Sequence, residues 1–189
     1  MKGLVIFENG AQRLIYYPDF FSDSIFEPLR VDLPWQQNDI RIFGRLHKEP
    51  RLTCWFGPAY RYSSIQWPLT PLHVAVSELQ QQISTITSFP FNAVLANYYR
   101  NGNDSMGWHS DNEPEIDTSL IASATFGGKR VFKMRNIQAE QKIDLELADR
   151  SILLMYDLQN GWQHSLPKSK TRLTPRINLT FRHVHCCKP

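Results

Sequence analysis

From Arg176 to Arg182 the sequence reads RINLTFR, and polar and apolar residues alternate without a break. A period of two belongs to a strand, so Arg176, Asn178, Thr180 and Arg182 share one face while Ile177, Leu179 and Phe181 share the other. Two arginines turned toward a cavity need an anion. Their backbones stand roughly 20 Å apart at about 3.3 Å per residue, the side chains reach toward one another, and a short dicarboxylate fits between them. The plainer alternative is an edge strand whose arginines pair with surface carboxylates. That leaves Asn178 and Thr180 on the same face without a reason.

The same patterning recurs along the chain. Residues 3–7 and 12–17 flank Asn9-Gly10, a hairpin signal. The runs from Asp39 to Gly57 and from Ala59 to Trp67 alternate, as do segments leading to Asn101-Gly102 and around Gly127-Gly128, which reads as a two-residue hairpin. Further strands fit KIDLEL, SILLMYDL and the arginine run. Two helices are expected in the first half. One is capped by Asp19, carries Phe20, Phe21, Ile25, Phe26 and Leu29, and ends at Pro34. The other starts at Thr70-Pro71 with Leu72, Val76, Leu79 and Ile83 as its core stripe. Roughly ten strands with helices only as covers predict a mainly β fold, a double-sheet jelly roll.

With 189 residues the chain is expected to form one domain, residues 1–189, with a full core. A net charge of +3 is too small for charge alone to name a nucleic-acid partner. The N-terminal apolar run is too short for a signal peptide or a membrane span, and three cysteines make no disulfide framework. A monomer of the cytoplasm, or of the nucleus in a eukaryote, is expected, with no membrane partner. His183 to Cys187 (HVHCC) reads as a frayed strand end with free thiols.

His109 and Asp111 stand two apart, on one face of an extended strand about 7 Å apart at the backbone, close enough to grip one ion. His164, in the turn-rich QNGWQHSLP, is the best placed third ligand. Two imidazoles and one carboxylate make a facial triad with three open positions, which suits non-haem Fe(II) binding a co-substrate and O2 together. Taken alone, H-x-D also fits a hydrogen-bonded pair on a strand, and His164 a surface turn.

Taken together, N-x-Y at Asn97 and Tyr99, M-G-W-H-x-D from Met106 to Asp111, W-x-H-S-L-P around His164 and P-R-x-N-L-T-F-R from Pro175 to Arg182 resemble the AlkB family of Fe(II) and 2-oxoglutarate dependent dioxygenases. The resemblance runs from about Phe43 to Val184. It implies a jelly-roll (double-stranded β-helix) core with iron held by His109, Asp111 and His164. Arg176 would take the distal carboxylate of 2-oxoglutarate, with Asn97, Tyr99, Asn178, Thr180 and Arg182 around the rest. The implied reaction demethylates N-alkylated bases of the 1-methyladenine or 3-methylcytosine type in DNA. It consumes O2 and 2-oxoglutarate and releases succinate, CO2 and formaldehyde.

Within the family, I-F-G (Ile42 to Gly44) and Y-x-Y-S (Tyr60 to Ser63) resemble members that act on duplex DNA. The first would be an intercalating hairpin and the second a base-pocket wall, within a nucleotide-recognition region at about residues 35–70. Phe43, Gly44, Arg51, Tyr60, Tyr62, Ser63, Asn112, Glu113 and Arg135 are the implied substrate contacts. Basic residues Arg41, Arg45, Lys48 and Arg51, with Lys168, Lys170 and Arg172, suit a phosphate track. As plain sequence, Phe43 is a core residue, Tyr60 and Tyr62 are packing residues, and charge runs are solvated faces. Three functions compete: DNA repair; demethylation of RNA or hydroxylation of a protein by the same iron site; and a non-catalytic nucleic-acid-binding jelly roll. A complete ligand set speaks against the last, since binding alone does not require iron.

Overall fold

A computed structural model describes residues 2–42, 44–62, 65–171 and 173–185, with Arg41, Ile42, Tyr60, Arg61, Tyr62 and Ile65 described by backbone alone. Phe43, Ser63, Arg172, Cys186 and Cys187 lie outside the described residues. In chain order the strands are β1 (Leu4–Asn9), β2 (Gln12–Tyr17), β3 (Asp39–Ile42), β4 (Arg45–Lys48), β5 (Leu52–Phe56), β6 (Tyr60–Tyr62), β7 (Ile65–Trp67), β8 (Ala93–Tyr99), β9 (Met106–His109), β10 (Leu120–Gly127), β11 (Arg130–Asn136), β12 (Lys142–Leu147), β13 (Ser151–Tyr156), β14 (Trp162–Leu166) and β15 (Arg176–Arg182). The helices are α1 (Phe26–Asp32) and α2 (Val74–Thr87).

Seven strands form one antiparallel sheet in the order β1-β2-β13-β10-β15-β8-β5, and four form a second in the order β12-β11-β14-β9. Strands β3 and β4, and β6 and β7, are separate two-stranded ribbons. The jelly-roll expectation holds, and alternation explains the layering. On the large sheet Ala122, Ala124, Ile152, Leu154, Ile177, Leu179 and Phe181 pack against Leu29 of α1 and Val76, Leu79 and Ile83 of α2. Their neighbours one residue away, among them Ile121, Leu153, Met155 and Leu95, meet Phe132, Met134 and Trp162 of the small sheet. Both faces of β15 are therefore covered, and all seven of its residues are buried. The polar half of its alternation has to face the space between the sheets.

Three local expectations fail. Helix α1 begins at Phe26 after Ile25, without a side-chain cap, because Asp19 pairs instead with Arg150 at 2.9 Å and the Phe21 N–H donates to the Arg150 carbonyl. Its end agrees with Pro34, which favours the extended backbone seen at Leu33. Helix α2 starts at Val74, capped by the His73 ring; Thr70 is taken up in a two-way backbone bridge with Gly57.

Gly127-Gly128 is not a hairpin turn. It carries the chain from the large sheet to the small one, since β10 pairs with β13 and β15 while β11 pairs with β12 and β14. Gly127 has φ +83, and a Cβ there would lie 2.6 Å from the Phe26 ring and 2.7 Å from the Pro175 carbonyl oxygen. Gly127→Ala should therefore cost about 2–4 kcal/mol through strain and overpacking, a fall in melting temperature on the order of 10 °C. Gly10→Ala, at φ +61 in open space, should cost only about 1 kcal/mol. Thermal melts of the two variants check the contrast.

Candidate active site

The inward face of β15 forms the floor of a cavity of about 40 Å³ between the two sheets. Asn97 and Tyr99 of β8, Ser123 of β10, Phe132 of β11, Met155 of β13 and His164 of β14 complete its wall with His109 and Asp111. Strand register assembles this set. Asn178 lies opposite Asn97, Arg176 opposite Tyr99, and His164 opposite His109.

The ligand atoms of His109, Asp111 and His164 lie within 4.8 Å of one another. Strand β9 ends at His109, so Asp111 reaches the group from the following loop and not from a strand face. Its backbone N–H donates to the Gln159 side chain at 2.9 Å. One carboxylate oxygen lies 3.7 Å from His109 Nε2 and the other 3.9 Å from His164 Nε2. His109 Nδ1 stands 2.9 Å from the Gly107 carbonyl. A carbonyl only accepts, so Nδ1 carries the proton and the Nε2 lone pair is left for a metal.

Burial raises the Asp111 carboxyl, but the Arg182 guanidinium at 2.7 Å, followed by His164 and His109, overrides it and holds the pKa at about 2. Burial, with His109 beside it, drives His164 down to about 3, and burial likewise lowers His109. Two neutral imidazoles and one carboxylate therefore face one point at neutral pH.

Arg176 is 2 % exposed. One Nη donates to the Thr125 hydroxyl at 2.9 Å, the guanidinium stands 5.4 Å from the centre of the Tyr99 ring, and Nε has no partner. Burial lowers this arginine to about 10, still charged at neutral pH. Further along the floor, Asn178 donates to Ser123 and to the Ala124 carbonyl, and Thr180 donates to Asn178.

Such a site can hold a divalent metal beside a buried cation that lacks a counter-charge among the described residues. The family profile of the 2OG-Fe(II) oxygenase superfamily matches residues 14–182. The alpha-ketoglutarate-dependent dioxygenase alkB homolog 3 of Bos taurus is 37 % identical over 194 residues, covering 94 % of this chain and 68 % of the relative. The chain belongs to the AlkB family of 2OG-Fe(II) oxygenases. The human counterpart of that relative is 36 % identical over the same length. The human DNA oxidative demethylase ALKBH2 is 33 % identical over 179 residues, covering 86 % of this chain and 69 % of the relative. This AlkB-family dioxygenase therefore uses Fe(II), 2-oxoglutarate and O2. Its donor set fits the metal, and the half-satisfied Arg176 fits a carboxylate of the co-substrate.

The remaining sequence-derived residues are not all brought to the cavity. Arg135 sits opposite Gln163 in the small sheet, one residue from the inward-facing Met134, so alternation turns it outward. There it donates twice to Gln163 and covers the exposed Trp108 ring at 4.3 Å. Arg51 is 3 % exposed and held by Asn97 and Glu49, which removes it from any surface phosphate track; Lys48 pairs with Asp39. Asn112 is exposed and Glu113 half-buried, just beyond Asp111. Gly44 has φ +77 beside the β3–β4 ribbon, and Tyr60 and Tyr62 lie on β6 opposite Trp67 and Ile65.

Sequence reading missed Glu49, Gln159, Ser123 and Thr125. Ser123 and Thr125 carried a signal, a polar pair two apart in an apolar strand; Gln159 carried none. Among the described residues no helix is long and apolar enough to cross a membrane.

The depressed histidines set a pH dependence for the metal-free protein. Above their ordinary value of 6.5 both are neutral folded or unfolded, and stability is fully present. As pH falls below that, the unfolded chain takes up protons that the folded chain refuses, so stability is lost down toward pH 3. For His164 the loss should approach about 1.4 kcal/mol per pH unit, and His109 adds to it in the same direction. Melting temperatures of the metal-free protein from pH 7 to 4.5 should fall, and more steeply than those of His164→Gln.

Proposed function

We propose that this dioxygenase removes methyl groups from N-alkylated bases, of the 1-methyladenine and 3-methylcytosine type, in DNA. The observation that carries the reading is the buried triad His109, Asp111, His164 sharing one cavity with the half-satisfied Arg176. The ALKBH2 relatives are DNA oxidative demethylases by name, which supports the substrate class. In this reading Arg176 grips the distal carboxylate of 2-oxoglutarate, and Asn97, Tyr99, Asn178, Thr180 and Arg182 line the rest.

Bound iron supplies what no side chain can, oxidation of an unactivated C–H bond by O2. The balance is N–CH3 plus O2 plus 2-oxoglutarate giving N–H, formaldehyde, succinate and CO2. The protein's own contributions are geometric and electrostatic. Arg182 keeps Asp111 ionised and fixed, Gly107 sets the tautomer of His109, and the two sheets bury the floor.

A methyl on the pairing edge of a base in a duplex requires that the nucleotide be extruded. Residues 35–70 form the nucleotide-recognition region in this reading. They carry two ribbons, and the residues of β4 are all exposed, so that strand is no part of the core. Gly44, Tyr60, Tyr62 and Ser63 are assigned to the extruded base in this reading, with Asn112 and Glu113 beyond the metal ligands. The enzyme acts as a monomer in the cytoplasm or nucleus, where DNA is found.

Incubation of the iron-loaded protein with methylated DNA and RNA oligonucleotides, 2-oxoglutarate and air should yield succinate and unmethylated DNA. His109→Ala, Asp111→Ala and His164→Ala should each lower succinate at least a hundredfold, in line with loss of a metal ligand. Succinate at the wild-type rate in any of them would overturn the triad, and repair of RNA alone would overturn DNA as the substrate. Phe43, between β3 and β4 in sequence, tests the duplex. If it fills the gap left by the extruded base, Phe43→Ala should slow repair of a methylated duplex much more than of the same lesion in a single strand. Equal losses with a large fall in melting temperature would instead make it a packing residue.

A further inference from the structure

Between β4 and β5 the chain runs Glu49-Pro50-Arg51, and both charged side chains are buried, at 2 % and 3 % exposed. Arg51 Nε donates to Oδ1 of Asn97 at 2.7 Å, and an Nη donates to one Glu49 oxygen at 3.0 Å. The other Glu49 oxygen accepts from the Thr53 hydroxyl at 2.9 Å and from the Asn38 amide at 3.2 Å. The Glu49 backbone is gripped as well, its carbonyl by the Gln37 side chain and its N–H by the Asn38 carbonyl, both at 2.9 Å. One carboxylate thus joins a residue of the cavity wall to the segment that enters the β3–β4 ribbon.

An asparagine amide has an acceptor end and a donor end, and which end faces a ligand depends on what holds the other. Arginine only donates, so Arg51 takes the Asn97 oxygen and leaves the NH2 for the cavity. That NH2 reaches the Leu95 carbonyl only at 3.5 Å, a marginal bond. Arg51 in turn needs a counter-charge to stay buried in place, since an uncompensated buried guanidinium is costly. Glu49 provides it.

We infer that Glu49 is a positioning residue for the co-substrate: it fixes Arg51, Arg51 fixes the Asn97 oxygen, and the Asn97 NH2 is thereby presented to an oxygen of 2-oxoglutarate. The inference rests on the reading of the cavity as the 2-oxoglutarate site. It gives a buried acid outside the metal triad a defined task. It also couples co-substrate binding to the ribbon through Asn38 and Gln37.

The test is calorimetric binding of 2-oxoglutarate to the Fe(II)-loaded protein without oxygen, so that no turnover is needed, together with a melting temperature for each variant. Glu49→Gln should weaken binding about tenfold, the effect of losing one well-held hydrogen bond to a charged ligand. Asn97→Ala should weaken it by a similar factor, and the double variant should be no weaker than Asn97→Ala alone. Its melting temperature should still show the additional fall caused by Glu49→Gln. Additive losses in affinity, or wild-type affinity in Glu49→Gln, would overturn the inference. If Glu49→Gln does not fold, the pair Glu49→Leu with Arg51→Met removes both charges, a change that buried pairs often tolerate. It should weaken binding as much, and wild-type affinity there would be equally fatal. Absence of binding by the wild-type protein would overturn the reading of the cavity itself. Weak binding by Asn97→Ala with intact binding by the Glu49 variants would overturn this inference alone.

Discussion

A carboxylate 1 % exposed, Asp111, remains ionised because Arg182 donates to it at 2.7 Å. Much of the site depends on that contact. A carboxylate in a dry pocket would otherwise take up a proton and cease to be a metal ligand. Arg182 can offset the burial because its backbone is held in place: it pairs with Ala93 of β8, its carbonyl accepts from the Asn92 N–H, and the rest of β15 is laddered to β10 as well. The position of Asp111 is thus inherited from the centre of the large sheet, although Asp111 itself sits in a loop. His109 and His164, paired across β9 and β14, bring the small sheet to the same point. The metal position is where the two sheets are tied together.

The buried cations around this point differ in how they are balanced. Arg51 has Glu49, Arg182 has Asp111, and Arg130 donates to the carbonyls of Asn101, Asp104 and Pro167. Arg176 has a neutral hydroxyl, an aromatic ring and an Nε without a partner. A folded chain tolerates one such group at a cost of several kcal/mol, and a bound carboxylate recovers it. The imbalance is therefore a binding device, since the ligand that offsets it gains more than one meeting an already neutral wall. Arginine suits the position because it stays charged despite burial, where a lysine would be more prone to lose its proton.

How far this was legible in the sequence follows from the range of each signal. The alternation of β15 was fully visible, and its consequence, one face to the helices and one to the cavity, was fixed once both faces had to be buried. The triad was visible as H-x-D plus a histidine in a recurring motif, although the placement of Asp111 on a strand was not correct. What misled was local chemistry overruled by distant partners. Gly127-Gly128 has the composition of a hairpin, but its neighbours are strands far along the chain, and the glycines serve a close passage beside Phe26 and Pro175. Asp19 has the chemistry of a helix cap, yet Arg150 claims it. Arg135 was misplaced because one step of register decides which face a strand residue takes, and only the pairing with Gln163 reveals that step. Glu49 was passed over because a lone acid beside a proline looks like surface until its three side-chain donors are seen.

The region proposed to meet the substrate was the least readable, and the physics of its elements accounts for that. The ribbons β3–β4 and β6–β7 have strands of four and three residues, and an isolated two-stranded ribbon is marginal in water. Their order has to come from what they rest on or what they bind, so their own sequence specifies them weakly. The cavity floor is different: Arg176, Asn178 and Thr180 are each locked by a ladder on both sides. Under the proposed function, the first ribbon, with β4 fully exposed, can accept substitutions that alter how substrate is gripped without disturbing iron or co-substrate, as long as its anchor holds. In this chain the anchor of the first ribbon is Asn38 and Gln37 on Glu49. Glu49 also holds the arginine that orients Asn97, so the freedom of the ribbon to vary ends at the acid that ties it to the cavity wall.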